Sequence, residues 1–505
     1  MNDPDFKIQR AIDAAVATTI DATLVAHRLE DIRSFRNPEL FRQFKSFSRM
    51  EELLWFLQGL SWELGAEQIA AMVIQAYPDR IATRRMQGLQ GRKLTLAQRI
   101  SIWTEMDMRA RPTLIDPETG EPFGFKNDYE RPVALTADSE EKLSIATEHM
   151  DLDYFRGACR DFAAQKLPDL LVRLCIDCEQ EFTPSATSKF PDDFWFFPGL
   201  IESLFQFMDL WAKEREGEVV MTVVTKKIYS IMDKTLRTGI WAMIRGNSRF
   251  GKTESIKAFC RKSPGLARLI ELPESNSFAE FLWAVANALG ISPPSSSNVQ
   301  RLRDLIANVL RQSKLLLIFD EGHFLIPRTY TRRTSPPRLD WIRRQVFDKG
   351  HPVVVCVTPQ WFDDEKSGDA SKFERVTHYV MQQVTGRWVT FILPDKLPES
   401  DLIALVKHYL PEIPDHADQL EIASYALASD NYIQAISIIA KLARDEAQQQ
   451  EISLSMALVR ATMQEIFPDI ATNTNEEAFV GSSADDPVQP PNIPEDCISE
   501  GGQTQ

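Results

Sequence analysis

The feature that most constrains the fold of this chain is the eight-residue segment Gly246–Thr253, GNSRFGKT, which fits the pattern GxxxxGK[ST]. An apolar run, WAMIR, precedes the segment, and a helix-forming run, ESIKAFC, follows it. A phosphate-binding P-loop needs this order, because its glycines allow a tight turn between a strand and a helix and direct backbone N–H groups at phosphate oxygens. The segment therefore predicts an ATP-binding site in an α/β domain.

The motif assigns roles to individual residues. Lys252 is predicted to contact the β- and γ-phosphates, and the Thr253 hydroxyl is predicted to ligate Mg²⁺. The N-terminus of the following helix adds partial positive charge. The predicted nucleotide-binding residues are Gly246, Asn247, Ser248, Arg249, Phe250, Gly251, Lys252, Thr253 and Glu254.

A second motif, which is acidic, supports the prediction of an ATP-binding site. The run LLLIFDE reads as a buried strand that ends in Asp320 and Glu321. Buried carboxylates are costly unless a cation or strong hydrogen bonds compensate them, and Mg²⁺ provides that compensation. Asp320 is predicted to hold Mg²⁺ through water, and Glu321 to polarise the attacking water. The alternative is an ordinary turn and an ordinary strand end, but the pairing of the two motifs favours an ATPase.

Short apolar runs alternate with helical segments around these motifs, which predicts a five-stranded parallel sheet between helices. The five predicted strands lie in IWAMIRG, LARLIELP, KLLLIFDE, PVVVCVTP and WVTFILP. The predicted regions are a helical N-terminal region (1–110), a mostly helical linker or partner-binding region (111–215), the α/β core (216–397), a helical lid (398–469) and a disordered acidic tail (470–505).

Composition restricts the class of protein. Hydrophobic residues make up 44% of the chain and charged residues 26%, as in ordinary globular proteins. There is no apolar run of transmembrane length and the start is polar, so we expect a cytoplasmic protein without a membrane partner. The six scattered cysteines indicate reduced thiols. Cys175 and Cys178 form a CxxC, which we interpret as part of a helix rather than as a metal site.

The order of these parts resembles the AAA+ superfamily. More narrowly, residues 220–465 resemble the transposition ATPases of the phage Mu B type and the TniB-like transposon proteins. The similarity lies in GNSRFGKTE before a helix, in LLLIFDEGHFL, and in a strand that ends in TP. It implies an AAA+ core with a helical lid, preceded here by a large, mainly helical N-terminal extension. It also implies that the chain forms homo-oligomers, either rings or helical filaments. These oligomers would bind duplex DNA when ATP is bound, and would stimulate a transposase.

The resemblance also implies roles for residues outside the two motifs. Thr358 is expected to touch the γ-phosphate or the lytic water. Arg387 and Arg375 are candidates for an arginine finger that reaches a neighbouring subunit. Gln383 and Gln434 stand where related proteins often carry arginines, and this departure implies slow hydrolysis.

A basic insertion follows the acidic motif and is a candidate DNA contact, because repeated arginines can follow a phosphate backbone. The net charge of −15 argues against a uniformly basic surface but not against a local basic site. A solvated basic loop is the alternative. A helix-turn-helix with a basic end at Arg84 and Arg85 is a weaker candidate. The arginines of the insertion are Arg328, Arg332, Arg333, Arg338, Arg343 and Arg344.

Three functional hypotheses follow. The first is an ATP-dependent DNA-binding regulator that recruits or stimulates a transposase-type partner. The second is a signalling or phage-defence ATPase switch whose N-terminal half binds a protein partner. The third is a P-loop scaffold that binds nucleotide without turning it over. DNA-dependent ATPase activity favours the first, and assembly without DNA favours the second.

Overall fold

A computed structural model describes residues 19–33, 49–77, 86, 89, 93–106, 137–176, 200–247, 249–275, 277–292, 298–325, 336–358, 388–394, 396–429 and 432–466. These residues fall into two compact units that divide between Ala404 and Leu405. None of the helices described is both long and apolar enough to cross a membrane.

The first unit contains a five-stranded sheet in which every pair of neighbouring strands is parallel, in the order β2-β3-β4-β1-β5. All five predicted strands are confirmed, as is the α/β class. The strands are β1 (Trp241–Arg245), β2 (Ala267–Glu271), β3 (Leu316–Asp320), β4 (Val353–Val357) and β5 (Trp388–Ile392).

The burial of each strand follows from its place in the sheet. Every residue of β3 and β4 is buried, because these strands are internal and covered on both faces. Their uninterrupted apolar sequences, LLIFD and VVVCV, are typical of such strands. At the edge of the sheet β5 is more accessible, and Val389 and Ile392 are exposed.

Helices of the first unit cover the sheet and form the N-terminal region. Among them, α8 packs against α9 and β1, while α10 packs against α11 and β2. The helices are α1 (Ala22–Arg33), α2 (Met50–Leu64), α3 (Ala66–Ala76), α4 (Leu96–Glu105), α5 (Ala137–Ala146), α6 (Leu152–Ile176), α7 (Leu200–Glu214), α8 (Val223–Thr238), α9 (Lys252–Lys262), α10 (Phe278–Leu289), α11 (Val299–Gln312) and α12 (Pro337–Trp341). Helix α13 (Glu399–Tyr409) begins in this unit.

Local sequence signals set several helix ends. The Asn298 side chain accepts hydrogen bonds from two backbone N–H groups in the first turn of α11, at 3.0 and 3.2 Å. Gly290 ends α10 in the left-handed conformation, with φ of 74°. Both are the residue types that these positions favour. Helix α11 therefore begins directly after Asn298.

The N-terminal helices pack directly on the edge of the sheet at β2. Arg268 of β2 donates a hydrogen bond from Nη2 to Gln58 Oε1 of α2 at 2.9 Å, and Gln58 Nε2 donates to the carbonyl of Leu289 at 3.3 Å. Helix α1 packs on α11, where Arg33 Nη1 donates to Gln312 Oε1 at 2.8 Å. The buried residues of these helices belong to the same hydrophobic cluster as those of the sheet. The helical N-terminal region is therefore continuous with the α/β core.

The second unit is helical in its described part. Helices α14 (His416–Ala428), α15 (Tyr432–Gln449) and α16 (Met456–Ile466) follow the end of α13. The hydroxyl of Tyr425 donates to the carbonyl of Met463, which joins α14 to α16. The bounds of the predicted helical lid, 398–469, stay a prediction. The predicted disordered tail, from 470 onward, lies outside the described residues.

The helical segment that leads from the basic insertion to β4 is a composite of three helix types. Helix α12 ends at Trp341 and continues as a π-helical turn (Ile342–Val346) and a 3-10 turn (Phe347–Lys349). Gly350, with φ of 84°, then leads the chain into β4. Residues 326–335 of the insertion lie outside the described residues.

Candidate nucleotide site

The parallel sheet brings both sequence motifs together at the carboxyl ends of its strands. The P-loop follows β1, the acidic pair ends β3, and Thr358 follows β4 directly. Strands β3, β4 and β1 are consecutive neighbours in the sheet, so their carboxyl ends lie side by side. Ligands of open α/β sheets bind at this end of the strands, and the predicted residues therefore meet where a ligand site is expected.

The backbone of the loop adopts conformations that the glycine-rich sequence allows. Gly251, the residue before α9, has φ of 73° and ψ of 21°. Arg249 also has a positive φ, of 69°. Helix α9 starts at Lys252, so the free N–H groups of its first turn lie beside the loop. Ser248, the third predicted loop residue, lies outside the described residues.

Lys252 is folded back onto the loop. Its ammonium donates hydrogen bonds to the carbonyls of Gly246 at 2.8 Å and Asn247 at 2.7 Å, and the residue is 9% exposed. Burial lowers the pKa of Lys252, while neighbouring acidic groups, Asp320 among them, oppose the shift. A positive charge held inside the curve of the loop can stabilise the oxygens of a bound phosphate.

The two motifs meet in one short hydrogen bond. The hydroxyl of Thr253 donates to Asp320 Oδ2 at 2.6 Å, and Asp320 Oδ1 accepts from the backbone N–H of Glu321 at 2.9 Å. Asp320 is only 7% exposed. The hydroxyl and the carboxylate provide oxygen ligands of the type that Mg²⁺ prefers.

These oxygens fit Mg²⁺ that is shared with a nucleotide. In the described part of the chain, no cluster of three or more His, Cys, Asp or Glu residues could hold a metal by itself. Mg²⁺ is usually bound by one or two protein groups together with substrate phosphates and water. Thr253 and Asp320 match that arrangement.

Glu321 has an unusual backbone and an accessible side chain. Its φ is 52°, in the left-handed region, and about half of its side chain is exposed, at 52%. Oε2 of Glu321 lies 3.1 Å from Nδ1 of His323 in the turn that follows (Gly322–Leu325). The carboxylate of Glu321 is therefore available to a water molecule at the strand end, next to the buried Asp320.

Of the residues to which the family resemblance gave roles, some are described by the structure and others are not. Thr358 is half-buried at the expected strand end. Gln434 is exposed on α15 in the second unit. Arg375, Gln383 and Arg387 lie outside the described residues, so the arginine-finger assignment stays a prediction.

One arginine of the basic insertion does not have the predicted exposure. Arg338 is only 3% exposed, and its guanidinium donates to backbone carbonyls, so we correct its assignment as a DNA contact. Arg343 is largely covered and lies 2.7 Å from Asp340. Arg344 pairs with Asp340 at 2.9 Å, yet its side chain is 63% exposed and accessible to a polyanion. The positions outside the described residues are Arg328, Arg332 and Arg333.

A hydroxyl network beneath the P-loop was not predicted from the sequence. The Ser255 hydroxyl donates to the carbonyl of Gly251 at 2.8 Å and lies 3.0 Å from the hydroxyl of Thr225. The Thr225 hydroxyl lies 2.9 Å from that of Thr222, which also caps α8. Asp401 Oδ2 accepts from the N–H of the first residue of α8 at 2.6 Å. Only the helix-capping Thr222 carries a local signal, since threonine is a favoured N-cap.

Comparison with known proteins agrees with this geometry. Residues 238–364 match the protein-family model described as an AAA domain. No curated protein matches the chain. Similar solved structures include the ORC2 protein of Aeropyrum pernix in its ADP form, with 14% identity over 48% of this chain and 67% of that chain, and a TM-score of 0.37. PCH-2 of C. elegans has 14% identity over 48% of this chain and 68% of that chain, with a TM-score of 0.30.

Both TM-scores are low, so neither of these two structures adds to the assignment. The match over residues 238–364 covers β1, the P-loop, the acidic pair and β4. It thus contains the elements whose geometry forms the nucleotide site. Residues 238–364 therefore combine a match to the AAA domain model with the geometry of a P-loop nucleotide site.

Proposed function

We propose that this protein is an ATPase whose nucleotide state controls its assembly on duplex DNA, where it acts with a transposase-type partner. In this proposal ATP binding joins copies of the chain into a ring or a helical filament. Hydrolysis then releases or remodels the assembly. Turnover is proposed to be slow, because Gln383 and Gln434 replace arginines that related proteins often carry.

The observation that carries the ATPase part is the contact between Thr253 and Asp320. The two residues are 67 positions apart in the sequence, yet their oxygens lie 2.6 Å from each other at the end of the sheet. A coincidental P-loop pattern would have no reason to meet a buried carboxylate from another strand. The pair is suited to Mg²⁺ and the phosphates that accompany it.

The chemistry divides among the residues of the site. The α9 N-terminus and Lys252 bind and orient the phosphates. Glu321 accepts a hydrogen bond from the attacking water and directs it at the γ-phosphorus. When bound, Mg²⁺ supplies positive charge that offsets the charge on the phosphoryl oxygens. Thr253 and Asp320 are the residues that would hold it.

The DNA part of the proposal rests on the basic insertion. Arg344 is the clearest described candidate, since 63% of its side chain is exposed. Each phosphate neutralised by an arginine contributes about −0.9 to the slope of log affinity against log salt on duplex DNA. Arg344→Ala should therefore reduce the slope by about one unit per subunit. The triple variant with Arg332→Ala and Arg333→Ala should reduce it by about two to three units.

The test titrates each protein with duplex DNA at several salt concentrations, in the presence of a non-hydrolysable ATP analogue. Arg237→Ala, which removes an exposed arginine from α8, serves as the matched control and should leave the slope unchanged. Affinity should fall equally on unrelated DNA sequences, because backbone contacts carry no base information. An unchanged slope in the triple variant would show that the insertion is not the DNA site.

The alternative is a signalling or defence ATPase, and one observation favours it. The N-terminal helices are joined to β2 and α10 by hydrogen bonds between buried groups, including Arg268 with Gln58. A partner bound to those helices would thus act on the ATPase core directly. If the wild type binds no DNA but assembles with ATP in a salt-insensitive way, this second function replaces the first.

A further inference from the structure

A single buried arginine connects three parts of the chain near the catalytic strand end. Arg338 of α12 donates from Nη1 to the carbonyls of Pro273 at 3.1 Å and Phe324 at 2.8 Å. From Nη2 it donates to the carbonyl of Ser277 at 3.1 Å and to that of Ser275. The guanidinium thus joins α12 to the connection between β2 and α10 and to the turn after β3.

Two hydrogen bonds lead from this guanidinium to the backbone of the proposed catalytic glutamate. The N–H of Phe324 donates to the carbonyl of Glu321 at 3.0 Å, and the carbonyl of Phe324 accepts from Arg338. In the sequence, Phe324 precedes the basic segment 326–335 and Arg338 follows it. The same bond therefore closes the base of the insertion and holds the turn that begins at Glu321.

The backbone of Glu321 needs such support. A positive φ is uncommon for residues other than glycine and persists where the surroundings hold it. On one side the turn is fixed by Gly322, where a Cβ would lie 2.6 Å from Val355 Cγ1 and 2.9 Å from the carbonyl of Cys356. The turn is thus pressed against β4 at Gly322, and Arg338 holds it at the carbonyl of Phe324.

We propose that Arg338 is a positioning residue for ATP hydrolysis, which holds the turn after β3 so that Glu321 is directed at the attacking water. The inference rests on the proposed hydrolysis by Glu321. Arg338 acts through the backbone of Phe324.

The geometry requires a guanidinium. Four carbonyl oxygens from two segments surround one planar group, and arginine offers five N–H donors in a fixed arrangement. Lysine carries the same charge but only three donors on one atom, so it cannot reproduce bonds that arise from two nitrogens. Arg338→Lys therefore preserves charge and approximate volume while it loosens the turn.

The experiment compares Arg338→Lys with the wild type in the full chain, without DNA. Affinity is measured with a fluorescent non-hydrolysable ATP analogue, turnover by phosphate release, and folding by the thermal midpoint. We expect turnover to fall by about 10- to 100-fold, since small misplacements of catalytic groups have effects of that size. Affinity should stay within about twofold, because the P-loop contacts are not altered.

A matched control separates positioning from general damage. Arg268 is similarly buried, and it donates to the carbonyls of Ala267 at 3.0 Å and Trp55 at 3.4 Å, away from the turn after β3. Arg268→Lys should lower the thermal midpoint at least as much as Arg338→Lys but leave turnover unchanged. Equal loss of turnover in both variants would overturn the positioning role.

A double-mutant cycle with Glu321→Gln gives the decisive readout, because residues that act through one group are not additive. If Arg338 acts through Glu321, adding Arg338→Lys to Glu321→Gln should cause no further loss of single-turnover rate. A full additional loss would mean that Arg338 acts elsewhere, and unchanged turnover in Arg338→Lys alone would also overturn the inference. If the wild type does not hydrolyse ATP, both the proposed function and the positioning role of Arg338 are overturned.

Discussion

At the scale of single residues, the site depends on opposite charges that are buried next to each other. Lys252 is held by two loop carbonyls, and Asp320 accepts from the Thr253 hydroxyl and the Glu321 N–H. Buried ionic groups are stable only with such partners. Each partner here comes from the P-loop segment or the strand end itself, so the polar groups of the site hold one another in position.

The first prediction concerns Lys252→Ala, which removes the charge that faces the phosphates. Binding of ATP should weaken by about 1.5–3 kcal/mol, the usual contribution of a hydrogen bond to a charged group, or roughly 10- to 150-fold. The measurement is calorimetric titration with a non-hydrolysable ATP analogue. Lys257→Ala, on the same helix but paired with Glu271, is the control and should bind normally. An affinity within about twofold of wild type would contradict the role of Lys252.

The second prediction concerns Glu321→Gln, which keeps the shape of the side chain but removes its ability to polarise water. Nucleotide affinity should be retained, while turnover should fall by about 10²- to 10⁴-fold, the usual contribution of a general base. Radioactive ATP measures both quantities in the same preparation. Turnover equal to that of the wild type would exclude Glu321 as the residue that activates water.

At the scale of secondary-structure elements, the first turns of α8 and α9 are joined by hydroxyl groups. Thr222 caps α8, and Thr225 and Ser255 continue the contacts to the carbonyl of Gly251, the P-loop residue that precedes α9. Asp401 adds a bond from the first turn of α13 to α8. A displacement of α8 would therefore reach the P-loop, and α13 is attached to the same end of α8.

The third prediction tests the helix cap. Thr222→Ala removes the acceptor for the Thr225 N–H, and loss of an N-cap costs about 1 kcal/mol. Hydrogen exchange of the first-turn amides of α8 should then accelerate by about fivefold, if these amides exchange by local opening. The control is Thr238→Ala in the last turn, where the hydroxyl bonds only to the Lys234 carbonyl of its own helix. Exchange at wild-type rates would show that the hydroxyl does not hold this turn.

At the scale of the whole molecule, the N-terminal helices and the AAA domain share one hydrophobic cluster within the unit that ends at Ala404. Their contacts include the bond between Arg33 and Gln312 and the packing of α2 on β2 through Arg268. The described helices α1 and α2 therefore have fixed positions beside β2 and α11. The boundaries at residues 110 and 215, which the sequence suggested for the N-terminal regions, stay predictions.

The fourth prediction concerns assembly and the proposed arginine finger. If Arg387 reaches the site of a neighbouring subunit, Arg387→Ala should lose turnover by about a thousandfold, as for other trans-acting arginines. Mixing it with Lys252→Ala subunits should restore part of the activity, because some interfaces then combine an intact P-loop with an intact Arg387. The readout is phosphate release across mixing ratios. No recovery at any ratio, with both variants inactive alone, would remove the support for a trans role.

The sequence alone determined the features that depend on neighbours along the chain. The loop from Gly246 to Thr253, the acidic end of β3 and the five strands were predictable, because turn chemistry and apolar runs are local properties. The tertiary structure decided the features that join distant segments. One such feature is the burial of Arg338, which bonds to carbonyls about 60 positions earlier in the chain, such as that of Ser277. Another such feature is the packing of α2 on β2. An arginine has the same local signal whether it meets DNA or its own backbone, so only the folded chain distinguishes the two.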